Sequence, residues 1–223
     1  MRSKREKHSI AFSRVGPVSE YVKFTHQCAR ADIAPFDELP DLNACRRKLR
    51  ELRLIGVDSN GIGFGNLSVR DRGTSNFYIT GSATGGLPEL TPMDCVRVVA
   101  CDFQKNRLRY EGSAIPSSES LTHAAIYESN QSTAAVIHCH ELALWTSLLD
   151  RVPTTSKAVA YGTPEMAYEI MNLFKGSGVQ HRKIVVMAGH QGGIVAFGKN
   201  LEEAFATLMR ERRESSLHST RLL

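Results

Sequence analysis

Hydrophobic positions recur along the chain with two different spacings, which predict helices alternating with short strands. Apolar residues from Leu42 to Leu52 recur at helical spacing, so we expect a helix that Asp41 caps and Gly56 ends. Later apolar runs are short and are separated by Gly and Pro clusters, as strands are. We predict strands at about 64–70, 76–80, 95–101, 107–110, 134–139, 183–188 and 193–197, and helices at about 119–129, 141–149, 163–174 and 200–216.

The chain before Asp41 shows neither spacing. Pro17, Pro35 and Pro40 interrupt it, so we expect residues 1–40 to be an irregular extension. Residues 41–223 carry no internal repeat, and their length suits a single domain. We therefore predict one folded domain after an irregular N-terminal segment.

The composition is that of an ordinary globular protein. Hydrophobic residues make up 42% and charged residues 23% of the 223 residues. The five cysteines show no paired spacing, and no apolar run has the length of a membrane span or the pattern of a secretory signal. We therefore expect a cytoplasmic protein with no membrane partner.

The net charge of +5 raises the question of nucleic-acid binding. The basic residues are dispersed, and the clusters Arg46–Lys48 and Arg210–Arg213 fall in amphipathic segments, which favours exposed helix faces. We therefore predict no nucleic-acid partner.

Two histidines end an apolar predicted strand. His138 and His140 lie two positions apart, so their side chains emerge on one face and can bind a common metal ion. Such a pair alone is more often structural than metal-binding. A catalytic zinc ion needs a third protein ligand, and His190, beside two glycines at a predicted strand end, is the natural candidate. Cys139 alternates to the other face and is expected to pack in the core.

The other histidines are weaker candidates for ligands. Solvated or hydrogen-bonded roles are expected for four of them, which are His8, His26, His181 and His218. His123 falls on a predicted helix, where it is either a group behind the ligands or an ordinary helix residue.

The segment Pro116-Ser-Ser-Glu119 directly precedes a predicted helix. Ser117 or Ser118 can cap that helix, which places Glu119 and backbone N–H groups at its positive end. An ordinary capped helix is one interpretation. In the other interpretation, the two serines bind an anionic group and Glu119 acts as a base beside the metal.

Four motifs occur in the order seen in one protein family. They are Gly65-Asn-Leu-Ser68, Ile79-Thr-Gly-Ser82, Pro116-Ser-Ser-Glu119 and His138-Cys-His140, and the similarity also includes Tyr161-Gly-Thr163 and the run from Phe197 to Ala204. From about Leu42 to about Met209, the chain thus resembles the class II aldolase/adducin family, and within it the fuculose-phosphate aldolases.

This resemblance implies a three-layer α/β/α domain around a mainly antiparallel sheet, assembled as a homotetramer with active sites at subunit boundaries. The resemblance also implies a bound zinc ion or another divalent transition metal, whose three protein ligands are His138, His140 and His190. It implies that Glu119 moves a proton during the reaction. Zinc would polarise the substrate oxygens and stabilise an enediolate as a carbon–carbon bond breaks. The family's phosphate site matches four neutral donors, which are Asn66, Ser82, Ser117 and Ser118.

Three features differ from the family pattern. Gly63 stands where sugar-phosphate aldolases usually supply a hydroxyl group. His190 lies two positions further from the following Gly-Lys-Asn run than the family's third histidine does, and the position that aligns with that histidine is closer to Gly192. We therefore expect a rebuilt loop around His190. The aldolases' proton-donating tyrosine has no direct match. Tyr161 is either its substitute or a structural tyrosine packed on a strand at Ser156–Val159.

We therefore predict a metal-dependent aldehyde lyase that acts on a small phosphorylated sugar or a related acid. A sugar-phosphate epimerase is the alternative enzyme, because the same family epimerises by breaking and remaking a carbon–carbon bond. The alternative outside enzymes is a binding or scaffold protein like the adducin head, which loses the metal ligands that this chain keeps.

Overall fold

The computed structural model describes residues 22–176 and 178–220, and the predictions made for residues 1–21 lie outside this part of the chain. The strands are β1 (Thr25–Arg30), β2 (Gly56–Val57), β3 (Gly63–Phe64), β4 (Asn66–Arg70), β5 (Phe77–Thr80), β6 (Cys95–Asp102), β7 (Arg107–Glu111), β8 (Ala135–His140), β9 (Ile184–Val186) and β10 (Gly193–Gly198). The helices are α1 (Leu39–Glu51), α2 (Ser120–Ser129), α3 (Leu142–Leu148), α4 (Pro164–Gly176), α5 (Val179–Arg182) and α6 (Leu201–Thr220).

The main sheet joins the strands in the order β1-β7-β6-β5-β4-β8-β10-β9, and β2 pairs separately with β3. Neighbours in the main sheet are antiparallel except for β1, which pairs in parallel with β7 at the edge. The predicted mainly antiparallel sheet is thus confirmed. β8 lies inside it between β4 and β10, and all of its residues before His140 are buried.

Helices cover both faces of the sheet because the inner strands carry apolar side chains on both. In β8, Ala135, Ile137 and Cys139 face a core that α1, α3 and α6 complete. Val136 faces the opposite core, which α2, α4 and α5 complete. This arrangement confirms the three-layer α/β/α prediction and the packing role of Cys139. No helix among the described residues is long and apolar enough to span a membrane.

Helix α1 begins earlier than the sequence predicts. It starts at Leu39, and its N-cap residue Glu38 makes no side-chain capping bond. Pro40 fits this start because a residue in the first helical turn needs no backbone N–H partner. The prediction that Asp41 caps this helix and Gly56 ends it was wrong. Asp41 instead lies in the first turn, where the helix dipole favours an acidic group.

The segment before α1 is more regular than the sequence predicts. Residues 25–30 form the edge strand β1, although all six are exposed. The irregular assignment of residues 1–40 was therefore wrong for this stretch. A strand that buries no side chain shows no apolar alternation, so its backbone pairing with β7 leaves no pattern in the sequence.

Candidate active site

Strand β8 presents His138 and His140 on one face, because side chains alternate along a strand. Nε2 of His138 lies 3.1 Å from Nε2 of His140. Backbone pairing fixes both positions, since His138 lies opposite Asn66 of β4 and His140 lies opposite Gly193 of β10. The two imidazoles therefore converge on one point at the end of a buried strand.

The third histidine comes from the turn between β9 and β10. Backbone hydrogen bonds from His190 N to Met187 O (3.0 Å) and from Gly193 N to His190 O (2.8 Å) close this turn. A Cβ atom on Gly193 would lie 2.5 Å from the His190 ring, so glycine leaves the space that the ring occupies. Ring nitrogens of His138, His140 and His190 lie within 4.8 Å of one another. The turn thus compensates for the shifted position of His190 in the sequence.

Burial keeps these imidazoles neutral. It lowers the pKa of His140 to about 4 and that of His190 to about 3. Burial also lowers the pKa of His138 well below its ordinary value, and the neighbouring histidines lower it further. Neutral imidazole nitrogens are ligands that zinc and similar divalent ions favour. The three residues therefore fit a divalent metal ion.

Glu119 lies beside the histidines, directly before α2, and is 2% exposed. Its Oε2 accepts a hydrogen bond from Thr122 Oγ1 (2.7 Å), whereas its Oε1 lies 4.0 Å from Nε2 of His190. Oε1 has no hydrogen-bond partner within the described part of the chain. Burial raises the pKa of Glu119 to about 7, against smaller lowering effects of Thr122 and Lys23. Such a carboxyl group can take up and release a proton near neutral pH.

A cavity of about 520 Å³ opens in front of the histidines and Glu119. The residues predicted to bind phosphate all line it, and they are Asn66, Ser82, Ser117 and Ser118. Oδ1 of Asn66 is buried without a hydrogen-bond partner in the described chain, whereas Ser82 Oγ donates to Pro116 O (3.0 Å). Gly63 also lines the cavity and offers no hydroxyl group. The volume suits a small molecule.

The serines before α2 do not cap it as predicted. Glu119 occupies the N-cap position and the helix has no side-chain capping bond. Ser117 Oγ only accepts a long bond of 3.4 Å from Glu119 N. The capping prediction for Ser117 or Ser118 was therefore wrong, and both residues face the cavity instead.

Tyr161 lies against the third histidine. The ring centroids of Tyr161 and His190 are 4.2 Å apart, and Tyr161 lines the cavity. Residues 156–159 form no strand, so the strand in the structural alternative was wrong, but Tyr161 and Val159 do pack against the core on the α2 side of the sheet. Tyr161 thus lies beside the candidate catalytic residues and also contributes to the core.

His123 belongs to a buried polar chain behind the ligands. Its Nδ1 lies 2.7 Å from Ser68 Oγ, which lies 2.8 Å from Tyr127 Oη, and all three side chains are buried. Burial lowers the pKa of His123 to about 3, and a proton on His123 would lower the pKa of His138. No hydrogen bond joins His123 to His138 among the described residues, so both roles considered for His123 remain open.

Sequence reasoning missed the side chains that hold one wall of the cavity. Arg46 falls in a cluster predicted on an exposed helix face, but it is 1% exposed. Its Nη2 donates to the carbonyl oxygens of Thr84 (2.8 Å) and Leu87 (3.2 Å). Asn43 exchanges two hydrogen bonds with the backbone of Leu90. Helix α1 thereby fixes the segment from Thr84 to Leu90, and Thr84 lines the cavity. The available signal was that Arg46 follows Leu42 by one helical turn.

The second basic cluster was also only partly exposed. Arg210 and Arg213 are exposed, as predicted. Arg212, however, contacts both carboxylate oxygens of Glu141, with Nε 3.1 Å from Oε2 and Nη2 3.1 Å from Oε1. Glu141 follows His140 directly and lines the cavity. The two-pronged contact therefore fixes a carboxylate next to the histidine pair.

A family model described as the class II aldolase and adducin N-terminal domain matches residues 53–211, which is more than half of the chain. The chain belongs to the class II aldolase and adducin family. Membership in this family confirms the resemblance that the ordered motifs indicated.

Solved structures show the class II aldolase fold. An L-fuculose 1-phosphate aldolase is 26% identical, with 85% of this chain and 88% of that chain covered and a TM-score of 0.65. The L-fuculose-1-phosphate aldolase from Thermus thermophilus is 22% identical, with coverages of 82% and 94% and a TM-score of 0.58. A sugar-phosphate aldolase from Thermotoga maritima is 17% identical, with coverages of 83% and 95% and a TM-score of 0.64.

Proposed function

We propose that this member of the class II aldolase and adducin family is a metal-dependent aldehyde lyase. Its substrate would be a small phosphorylated sugar or a related acid. The observation that carries the proposal is Glu119, a buried carboxyl group with a pKa of about 7 beside three neutral histidines in one cavity. The likeness to sugar-phosphate aldolases supports the substrate class.

His138, His140 and His190 would hold the metal ion. We infer zinc, because three protein ligands and an open position are the arrangement that catalytic zinc uses. When bound, zinc supplies a Lewis acid that polarises substrate oxygens and stabilises the negative charge of an enediolate.

The phosphate group would bind to neutral donors rather than to cations. The cavity-lining residues in the described chain include no Lys or Arg, and the charged ones are Asp58, Glu119 and Glu141. The amide of Asn66 and the hydroxyl groups of Ser117 and Ser118 offer N–H and O–H donors there. Ser82 would have to exchange its hydrogen bond to Pro116 O for one to the phosphate group. Ser117 and Ser118 also lie just before α2, where the helix dipole favours an anion.

Glu119 would move the proton. When the carbon–carbon bond breaks, its electron pair passes to the enediolate, and the departing half becomes an aldehyde as its hydroxyl group loses a proton. Oε1 of Glu119 accepts that proton and returns it to the enediolate carbon, which balances the reaction. Tyr161, whose ring lies against His190, is the second residue that we propose for proton transfer.

We also infer that the chain forms a homotetramer, as the family resemblance implies. Light scattering of the purified protein should then give about four times the chain mass of 24.7 kDa. A monomer at micromolar concentration would contradict the assembly.

The activity is tested with purified, zinc-loaded protein and a panel of phosphorylated ketoses and related acids. We expect one class of compound to release an aldehyde, detected by a coupled reductase and by NMR of the products. Formation of an epimer without free aldehyde would identify the epimerase instead. Protein that holds metal but converts nothing would contradict catalysis and favour a binding protein of the adducin kind.

A further inference from the structure

The N-terminal segment brings a cation to the candidate active site. Nζ of Lys23 lies 3.7 Å from the ring centroid of Tyr161 and donates a hydrogen bond to the backbone oxygen of Tyr161 (3.0 Å). The two residues are 138 positions apart, and Lys23 lies outside the residues 53–211 that match the family model. This contact is thus a feature of the chain that the family motifs do not include.

The backbone that follows the Lys23 side chain is anchored. Phe24 is 5% exposed and packs in the core on the α2 side of the sheet. Nδ2 of Asn106 donates to Lys23 O (2.8 Å), and Asn106 O accepts from Thr25 N (2.9 Å). The side chain of Lys23 therefore starts from a fixed point, even though the side chain itself is exposed.

Tyr161 connects Lys23 to the histidine cluster. Its ring is inclined by 31° to the ring of His190 at a centroid distance of 4.2 Å. The following residue, Gly162, has a φ of +70°, and a Cβ atom there would lie 2.9 Å from Ser118 O. An ammonium group over a tyrosine ring is attractive and favours one ring position over others. Lys23 thus restrains the same ring that contacts His190.

We propose that Lys23 is a positioning residue of the candidate active site, which holds the ring of Tyr161 against His190 through contacts with the ring and the backbone carbonyl of Tyr161. The consequence for turnover rests on the proposed function, whereas the contact itself does not. Lys23 is then part of the site of this protein, although it precedes the residues that match the family model.

The contact is tested by NMR of the His190 ring protons in the full-length chain, with a chelator present so that all variants are metal-free. The ring current of Tyr161 shifts these protons, and His190→Gln assigns their signal. Tyr161→Leu gives the position without the ring current. We expect Lys23→Met, which keeps the apolar stem without the charge, to move the signal at least about halfway towards that position. Lys23→Arg should leave it near the wild type, because arginine also binds aromatic rings.

The control is Lys105→Met, which removes a lysine that is 70% exposed and pairs with Asp102 rather than with the site. It should not move the His190 signal. An unchanged signal in Lys23→Met would overturn the proposal, and so would an unchanged signal in Tyr161→Leu, because no ring contact would then exist to be held.

Turnover gives a second and separable result. If the lyase activity is present, Lys23→Met should lower kcat roughly 10- to 100-fold at unchanged metal content, which is the effect expected when a catalytic group is displaced. Lys23→Arg should keep kcat near the wild-type value. A fall in kcat with an unmoved His190 signal would contradict a positioning role. Absence of any lyase activity would sink the proposed function and leave the NMR result to decide the contact.

Discussion

Two glutamates of this chain show how the surroundings of a residue set its chemistry. The Glu203 carboxylate accepts hydrogen bonds from the side chain of Lys183 and from the backbone N–H of Lys199, and these bonds lower the pKa of Glu203. Glu119 is buried, and its pKa rises to about 7 because few groups replace the water that it loses. The second carboxyl group is suited to acid–base chemistry, whereas the first stabilises the start of α6.

At the histidine cluster, the first prediction concerns metal content. His138→Ala and His140→Ala should each lower the bound metal from about one ion per chain to a small fraction, because each removes one of three ligands. His181→Ala is the control, since His181 is exposed on α5. Elemental analysis of the purified variants measures the content. Full metal retention when both His138 and His140 are replaced would exclude this site.

The second prediction uses the low pKa of His123. Between its ordinary pKa of 6.5 and the folded value of about 3, the unfolded chain binds a proton that the folded chain does not. The free energy of unfolding therefore falls as the pH drops through this window. Asparagine at position 123 keeps a polar group towards Ser68 but does not titrate. The free energy of unfolding of His123→Asn should therefore fall less steeply with pH than that of the wild type, and the two slopes should differ by up to about 1.4 kcal/mol per pH unit.

Urea unfolding of the metal-free wild type and His123→Asn, at several pH values from 6.5 down to about 4, measures this difference. Equal slopes for the two proteins would show that His123 does not stay neutral in the folded chain.

At the scale of elements, helix α1 acts on the cavity without lining it. Arg46 and Asn43 bind backbone groups of the segment from Thr84 to Leu90, and Thr84 lines the cavity. Arg46→Met should lower the free energy of unfolding by about 2 kcal/mol, because two buried carbonyl groups lose a charged donor. Substrate affinity should fall as well, since the wall of the cavity loosens.

The matched control for that variant is Arg47→Met, which alters an exposed neighbour on the same helix. Its effect on the free energy of unfolding should stay within about 0.5 kcal/mol, as is usual for surface substitutions. Equal effects of the two variants, measured by urea unfolding, would show that the buried hydrogen bonds of Arg46 contribute nothing.

The same scale shows which elements the sequence could predict. β8 and β10 were predicted because strands buried in the sheet leave apolar runs in the sequence. α6 was predicted because Asn200 and Glu203 have the spacing of a capping box, and Asn200 Oδ1 does accept a hydrogen bond from Glu203 N (2.8 Å). β1 was missed because it buries no side chain, and the β2–β3 hairpin because two-residue strands carry no period. These strands are joined to their neighbours by backbone pairing, which requires no alternation of apolar residues in the sequence.

The candidate site divides in the same way. Strand spacing placed His138 and His140 on one face, and a strand end beside two glycines proposed His190. Metal binding by these residues and the base role of Glu119 became the preferred interpretations only with the family resemblance, because contacts across the chain join them. Arg46 and Lys23 were not predicted, since each acts through a backbone carbonyl of a distant segment. A carbonyl acceptor is present at every residue, so the sequence cannot show which one a side chain will bind.

For the whole molecule, the site lies where all three layers meet. The sheet supplies the histidine pair, the layer with α2 supplies Glu119, and the layer with α1 holds the wall at Thr84. The N-terminal segment adds Lys23 from the edge of the sheet. Because segments far apart in sequence form one cavity, a substitution that disturbs the packing of any one layer should change the positions of the side chains that line the cavity.

The central claim is that Glu119 transfers the proton in a metal-dependent carbon–carbon cleavage. The most direct test compares turnover of the wild type, Glu119→Gln and the control Glu128→Gln, an exposed position on the same helix, at equal metal content. Glutamine keeps the size of the side chain but cannot accept the proton. We expect turnover of Glu119→Gln to fall by at least about a hundredfold while metal content and the control are unchanged. Turnover of Glu119→Gln at the wild-type rate would contradict the account, even with the metal in place.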